Sequence, residues 1–190
     1  MQGHIDIDLN PAGEAQARAL KPRLAEHGFA AVYCSDLLRA LRTARIATAG
    51  LGLAVSPAPT LRERNFGVLQ GITAAEASRQ FPHAYHHHQA RTPDYDCESG
   101  ESLIDFAARV MAGLELLAAR HAGRSVLVFT HGGVLDIVHR AANGRSLDAP
   151  RDFSIPNAAC NWVERHDGQW RVISWADCGH LTAALDGVLE

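Results

Sequence analysis

Three short stretches carry the residue types that handle phosphate. "CSDLLRA" contributes Arg39, "TLRERNFG" contributes Glu63 between Arg62 and Arg64, and "VLVFTHGGV" contributes His131 followed by Gly132 and Gly133. A guanidinium and an imidazole can offer N–H groups to phosphoryl oxygens. A carboxyl group can give a proton to a leaving oxygen and later take one from water. Paired glycines after a strand let backbone N–H groups approach a ligand at the start of a helix, which favours anions. Each group also has a plainer reading. Arg39, Arg42 and Arg45, at spacing of three, could form one solvated basic face, and Glu63 could make surface ion pairs worth little. His131 is harder to treat as packing, because it stands at the mouth of an apolar run with two glycines after it.

The tripeptide His86-His87-His88 invites a metal reading. Consecutive histidines in an irregular segment do not converge on one ion, and no Cys or His spacing elsewhere matches a zinc site. The tripeptide reads as part of a solvated loop rimming the site. Neither a metal nor a cofactor is expected.

The elements that must position these groups alternate between helix and strand. Asn10 and Pro11 open a helix running to about His27, with Gly28 as its stop and Pro22 expected to kink or split it. Ala30–Ser35 reads as a short buried strand, and Ser35 and Asp36 cap the next helix, which ends near Gly50. Thr73–Phe81 is a short helix. Pro82–Gly100 has no periodicity and reads as a long surface excursion. Ser102 caps the clearest helix, in which Leu103, Phe106, Val110, Leu114 and Leu117 share one face. Val126–Phe129 is continuously apolar and reads as a strand buried on both faces. Two alternating runs joined by Asp167-Gly168 form a hairpin. The pattern is α/β, with a mostly parallel sheet and helices on both faces, and 190 residues favour a single domain over 1–190. In such sheets ligands bind at the carboxyl ends of the strands, where the three stretches lie.

A net charge of −3 gives no field that would draw nucleic acid, and no apolar run is long enough to span a bilayer. Cys34, Cys97, Cys160 and Cys178 form no C-x-x-C pair and read as reduced thiols in a cytoplasmic protein.

Taken together and in order, "QGHIDIDLNPAGEAQA", "CSDLLRALRTA", "LRERNFGVLQG", "GES" and "VLVFTHGGV" resemble the histidine phosphatase superfamily, also called the phosphoglycerate mutase-like family. The resemblance covers nearly the whole chain. It implies two-step phosphoryl transfer through a phosphohistidine. Arg39 is then assigned to the phosphate pocket and Glu63 to proton transfer. His131 is assigned as the second active-site histidine, which binds a phosphoryl oxygen. Gly3, Gly132 and Asn157 are the implied substrate contacts, and the substrate is a small phosphorylated metabolite. Homodimerisation stays open.

The family begins with a strand ending in Arg-His-Gly, whose histidine is the nucleophile. "QGHIDIDL" resembles the segment that follows it, so the first core strand is expected to be missing from this chain, and His4 is not a substitute. The result would be a gap in the sheet beside Ser125–Phe129, neighbouring strands moved together to close it, or a strand lent by another chain. Truncation of an active phosphatase is the reading adopted, with this chain nearly inactive by itself. A non-catalytic pseudophosphatase that binds phosphorylated ligands is one alternative. A cofactor-dependent phosphoglycerate mutase is the other. Against the mutase stand Phe66 and Ala74, where that branch carries Tyr and Lys, and a single Arg91 where it carries paired arginines.

Overall fold

The computed structural model describes residues 1–181. Helix α1 (Pro11–Ala25) starts where the sequence places it, with Asn10 Oδ1 accepting from the Gly13 N–H at 2.8 Å. Pro22 does not split it. Leu20 and Leu24, on either side of the proline, are both buried, and their packing holds the turns that the missing N–H weakens. Strand β1 (Ala31–Cys34) leads into helix α2 (Leu38–Ala47). Ser35 and Asp36 do not cap α2 as expected. Leu37 stands at the cap position without a side-chain bond, and Asp6, distant in sequence, accepts from the Leu38 N–H at 2.6 Å.

Strand β2 (Val55–Pro57) precedes helix α3 (Ala74–Gln80), which begins with a reciprocal Thr73–Glu76 capping box. The expected excursion is in part a helix, α4 (Pro82–Gln89), so the three histidines lie on a helix and not in a loop. Histidines carry no hydrophobic period, which hid the helix. Ala84, Phe81 and Tyr85 pack with Leu69, Ala77 and Cys97, and that tertiary cluster supplies what local pattern does not. Helix α5 (Leu103–Arg120) has Ser102 as its cap, accepting from the Asp105 N–H at 3.0 Å. Strand β3 (Val126–Phe129) then passes directly into helix α6 (Gly132–Ala142). Strands β4 (Cys160–His166) and β5 (Gln169–Asp177) form the predicted hairpin, with Asp167 and Gly168 both at positive φ.

β2, β1 and β3 pair in that order, all parallel. The pleat of β1 sorts the core into two layers. Val32 and Cys34 face α1 and α2, joining Leu20, Leu24, Ala40 and Ala44. Tyr33 and Val128 lie against the opposite cluster, built from Phe106, Val110 and Leu114 of α5 with Val134 and Ile137 of α6. β4 and β5 form a separate antiparallel sheet. They pack by side chains: Cys160 touches the first cluster, Val163 and Trp170 the second.

β3 is not buried on both faces. Three of its four residues are only half buried. Among the described residues it pairs with β1 alone, so one of its backbone edges lies outside any ladder.

Candidate active site

The carboxyl ends of β1 and β3 are side by side, because Cys34 registers with Phe129. The residues just beyond them therefore meet. His131 Nε2 lies 2.7 Å from Ser35 Oγ, although the two are 96 positions apart. Thr130 Oγ1 donates to the Leu61 carbonyl at 2.8 Å and ties the end of β3 to the turn that carries Glu63. That turn is fixed from the other side by one guanidinium. Arg109 of α5 donates to the carbonyls of Thr60, Arg62 and Glu63 and holds the Glu101 carboxylate at 2.7 and 2.8 Å.

Glu63 is not a surface ion-pair partner. Its Oε1 accepts from the Arg64 N–H at 2.8 Å and its Oε2 from the Gly133 N–H at 3.0 Å. Burial raises its pKa above the ordinary glutamate value. The two N–H donors and the charges of Arg39 and Arg109 oppose that rise without cancelling it. A carboxyl group in this state holds a proton more readily than an exposed glutamate. Gly133 is what admits it, since any side chain there would overlap the Glu63 carboxylate. At Gly132 the space is open, so the close approach falls on the second glycine and not the first.

His131 is 8% exposed. Burial first, then the charges of Arg39, His4 and Arg109, pushes its pKa down to about 3. It is a neutral imidazole at pH 7, with one ring N–H to donate.

Arg39 Nη1 and Nη2 donate to the carbonyls of Ile5 and Gly3 at 3.0 and 2.8 Å. Its charge acts on both Glu63 and His131, so the three predicted residues converge. Arg42, one turn further along α2, pairs instead with Asp8 and Glu14 at the surface. The basic face read from the spacing is thus two environments. Gly3 is buried at φ +56°, beside Gln70, whose Oε1 accepts from the His4 N–H at 2.6 Å. Asn157 is exposed in the loop before β4, and no hydrogen bond among the described residues joins it to this group.

Several site residues escaped the sequence reading. His4 Nε2 donates to the Glu63 carbonyl at 2.8 Å, which brings the start of the chain into the site. Asp36 binds Arg62 through both oxygens, at 2.7 and 2.6 Å. Ser35 and Asp36 could have been found from their place immediately after β1. Arg109 offered no local signal, because its contacts span up to 49 positions, and Glu101 stands in the GES stretch with no role assigned to it there. Among the described residues, no group of three or more His, Cys, Asp or Glu is arranged to hold a metal ion.

The family model described as histidine phosphatase superfamily (branch 1) matches residues 1–178. The chain is 39% identical over 186 residues to a metal-independent phosphoserine phosphatase of Arabidopsis thaliana, spanning 96% of this chain and 76% of that one. Among solved structures, Bacillus stearothermophilus YhfR superposes with a TM-score of 0.88 at 30% identity, covering 95% of this chain and 90% of the other. A mycobacterial glucosyl-3-phosphoglycerate phosphatase superposes with a TM-score of 0.80 at 28% identity, covering 93% and 90%.

Proposed function

Because the chain belongs to the histidine phosphatase superfamily, we propose that it serves the hydrolysis of small phosphomonoesters by two-step phosphoryl transfer. The observation that carries the reading is the enclosed carboxyl of Glu63, held beside Arg39 and a neutral His131 at the carboxyl edge of a parallel sheet. In the first step a histidine nitrogen attacks phosphorus, and the bond to the ester oxygen breaks. Glu63 gives its proton to that oxygen, releasing the alcohol. In the second step Glu63, now a carboxylate, takes a proton from water as its oxygen attacks the phosphohistidine, and inorganic phosphate leaves. Arg39 supplies positive charge to the equatorial oxygens, and His131 a ring N–H.

No residue fills the role of attacking histidine in this reading. His131 is the second histidine, and His4 has its Nε2 proton committed to the Glu63 carbonyl. The attacking histidine belongs instead to an Arg-His-Gly strand outside residues 1–190. Among the described residues β3 pairs with β1 alone, and its other backbone edge would take such a strand. This chain alone is then a phosphate binder with little turnover.

Two measurements test this. Calorimetry with inorganic phosphate compares this chain with Arg39→Ala; the variant should bind at least about tenfold more weakly, as the loss of a charged hydrogen-bond donor implies. Equal affinity removes Arg39 from the site. Turnover of a generic phosphomonoester at mildly acidic pH compares this chain with one extended upstream through Arg-His-Gly codons. Equal rates would return the nucleophile to His4 or His131. Chelator should leave the extended protein's rate unchanged.

A further inference from the structure

Gly100-Glu101-Ser102 stands outside the phosphoryl chemistry, yet the three residues build a clamp on the turn that carries Glu63. Gly100 lies so close to that turn that a side chain on it would overlap the Asn65 carbonyl. Just before it, Cys97, Glu98 and Ser99 all occupy the left-handed region, at φ +59°, +54° and +81°. Non-glycine residues held there in succession are strained, and the surrounding contacts must offset the cost. The Cys97 carbonyl accepts from the Val68 N–H at 3.1 Å, and the Asn65 carbonyl accepts from the Glu101 N–H at 2.9 Å. These bonds tie the strained segment to residues 65–68 and seat Glu101 beside the turn. Ser102 then caps α5, which brings Arg109, about two turns into that helix, back to Glu101.

Arg109 uses all three of its nitrogens. Nε and Nη2 hold the two Glu101 oxygens, Nη1 reaches the carbonyls of Thr60 and Arg62, and Nη2 also reaches the Glu63 carbonyl at 3.2 Å. Glu101 Oε2 accepts from the Asn65 N–H at 2.9 Å as well. The pair thus grips the backbone on both sides of Glu63. A guanidinium this near a carboxyl that must hold a proton is a conflict, because a bare cation favours the carboxylate. Glu101 resolves it. Burial alone would raise the Glu101 pKa; the hydrogen bonds from Arg109 and the Asn65 N–H, with the Arg109 charge, outweigh burial and hold it below the ordinary 4.5. Glu101 is therefore ionised at pH 7 and matches the Arg109 charge on the spot. Of the groups that oppose the rise at Glu63, the Gly133 and Arg64 N–H groups and Arg39 all act more strongly than Arg109. His4 meets the same Glu63 carbonyl from the start of the chain.

We propose that Glu101 and Arg109 are positioning residues for the proton transfer at Glu63: as a neutral pair they lock the 60–65 turn and keep the Glu63 carboxyl on the Gly133 N–H without placing a net charge beside it. Neither residue touches the substrate; both act through Glu63. A lysine in place of Arg109 would supply the charge but not the planar fork that spans three carbonyls and a carboxylate. The strained 97–99 segment has a use in this arrangement, since it delivers Glu101. The pair's role rests on the reading of Glu63 as the proton carrier, and the test separates the two.

Carbon-13 NMR on this chain, with labelled glutamate carboxyls, follows the titration of Glu63, whose signal is the one absent from Glu63→Gln. Arg109→Lys keeps the charge and loses the fork, so the Glu63 midpoint should shift down toward 4.5 as the released carboxyl meets water. Glu101→Gln uncovers the Arg109 charge and should shift it down too. Glu101→Asp, which keeps the charge, should restore part of the parent value. In the upstream-extended protein, Arg109→Lys and Glu101→Gln should lower kcat at least about tenfold with KM changed by less than about twofold, as a misplaced proton donor implies. A midpoint unmoved in the folded variants overturns the positioning role, and so does an unchanged kcat beside a shifted midpoint. If the variants do not fold, the unaltered chain decides: the Arg109 Nε–H should exchange with solvent at least about tenfold more slowly than that of the half-exposed Arg42, and equal rates overturn the clamp. An extended protein without turnover, or a Glu63→Gln variant as fast as its parent, overturns the reading of Glu63 and the pair's role with it.

Discussion

Two carboxylates, Glu63 and Asp136, meet the first turns of α6, and their surroundings give them opposite characters. Glu63 is met by two backbone N–H groups and, among the described residues, no direct ion-pair partner, and burial lifts its pKa above the usual glutamate value. Burial would also lift Asp136. There the hydrogen bond from Arg140 and the charge and hydrogen bond of Arg91 outweigh it and hold the group below the usual aspartate value. The difference is the nature of the donors. Backbone N–H groups are neutral and only partly compensate a buried charge, so the proton remains competitive. Guanidiniums are permanent cations and exclude it. The first environment suits proton transfer, and the second suits the fixed placement of cations.

The sharpest way to break this comparison is to take the proton away from the first site. In the upstream-extended protein, Glu63→Gln should lower turnover of a phosphomonoester by about 10²- to 10⁴-fold, the usual scale for general acid–base catalysis. Its binding of inorganic phosphate should change little by comparison. A rate within tenfold of the parent would show that Glu63 is not the proton carrier.

At the second site the expected loss is stability. Asp136→Asn leaves three guanidiniums without their shared charge, two of them well buried. Breaking a buried pair from one side costs about 3–5 kcal/mol. Urea unfolding should reveal a loss of that order, and a change under about 1 kcal/mol would mean that the cluster is solvated. Arg140 Nη2, buried and without a hydrogen-bond partner among the described residues, makes the site still less tolerant of losing its carboxylate.

pH separates the two groups by sign. Glu63 has a raised folded pKa, so its contribution to stability is present below the ordinary value of 4.5 and is lost as pH rises through the folded value. Asp136 has a lowered one, so its contribution is present above 3.8 and is lost as pH falls through the folded value. His131 behaves like Asp136 in direction. Its pKa falls from 6.5 to about 3, so it stabilises above 6.5 and that stability drains away as pH drops toward 3. Urea midpoints taken across this range should slope downward on acidification. The slope should become shallower in His131→Gln. It should become steeper in Glu63→Gln, which removes the one group of the three that favours acid. Identical slopes in all three proteins would mean that these sites are solvated.

The smallest effect belongs to Arg42, the surface counterpart of Arg39 on α2. Its pairs with Asp8 and Glu14 are half exposed and screened by solvent, so Arg42→Ala should leave the urea midpoint nearly unchanged and phosphate affinity intact. A loss of phosphate affinity matching that of Arg39→Ala would merge the two environments that the structure separates.

The sequence by itself determined the alternation of elements, the caps at Asn10 and Ser102, the Asp167-Gly168 hairpin and the placement of Arg39, Glu63 and His131 after strands. These are encoded within a few residues: a cap and its N–H groups, a turn and its φ angles, an apolar run and its end. The helix around His86–His88 was not legible, because its stability comes from Ala84, Phe81 and Tyr85 packing on residues elsewhere in the chain. Asp6 capping α2 from a distance, Arg109 pinning the Glu63 turn, and Arg91, Arg140 and Arg151 meeting at Asp136 were likewise decided by tertiary structure. Spacing along a chain specifies which face of a helix or strand a residue occupies. Whether a charge on that face meets water, a carbonyl or another charge depends on which elements the core packs against it, and that environment sets its pKa and its role.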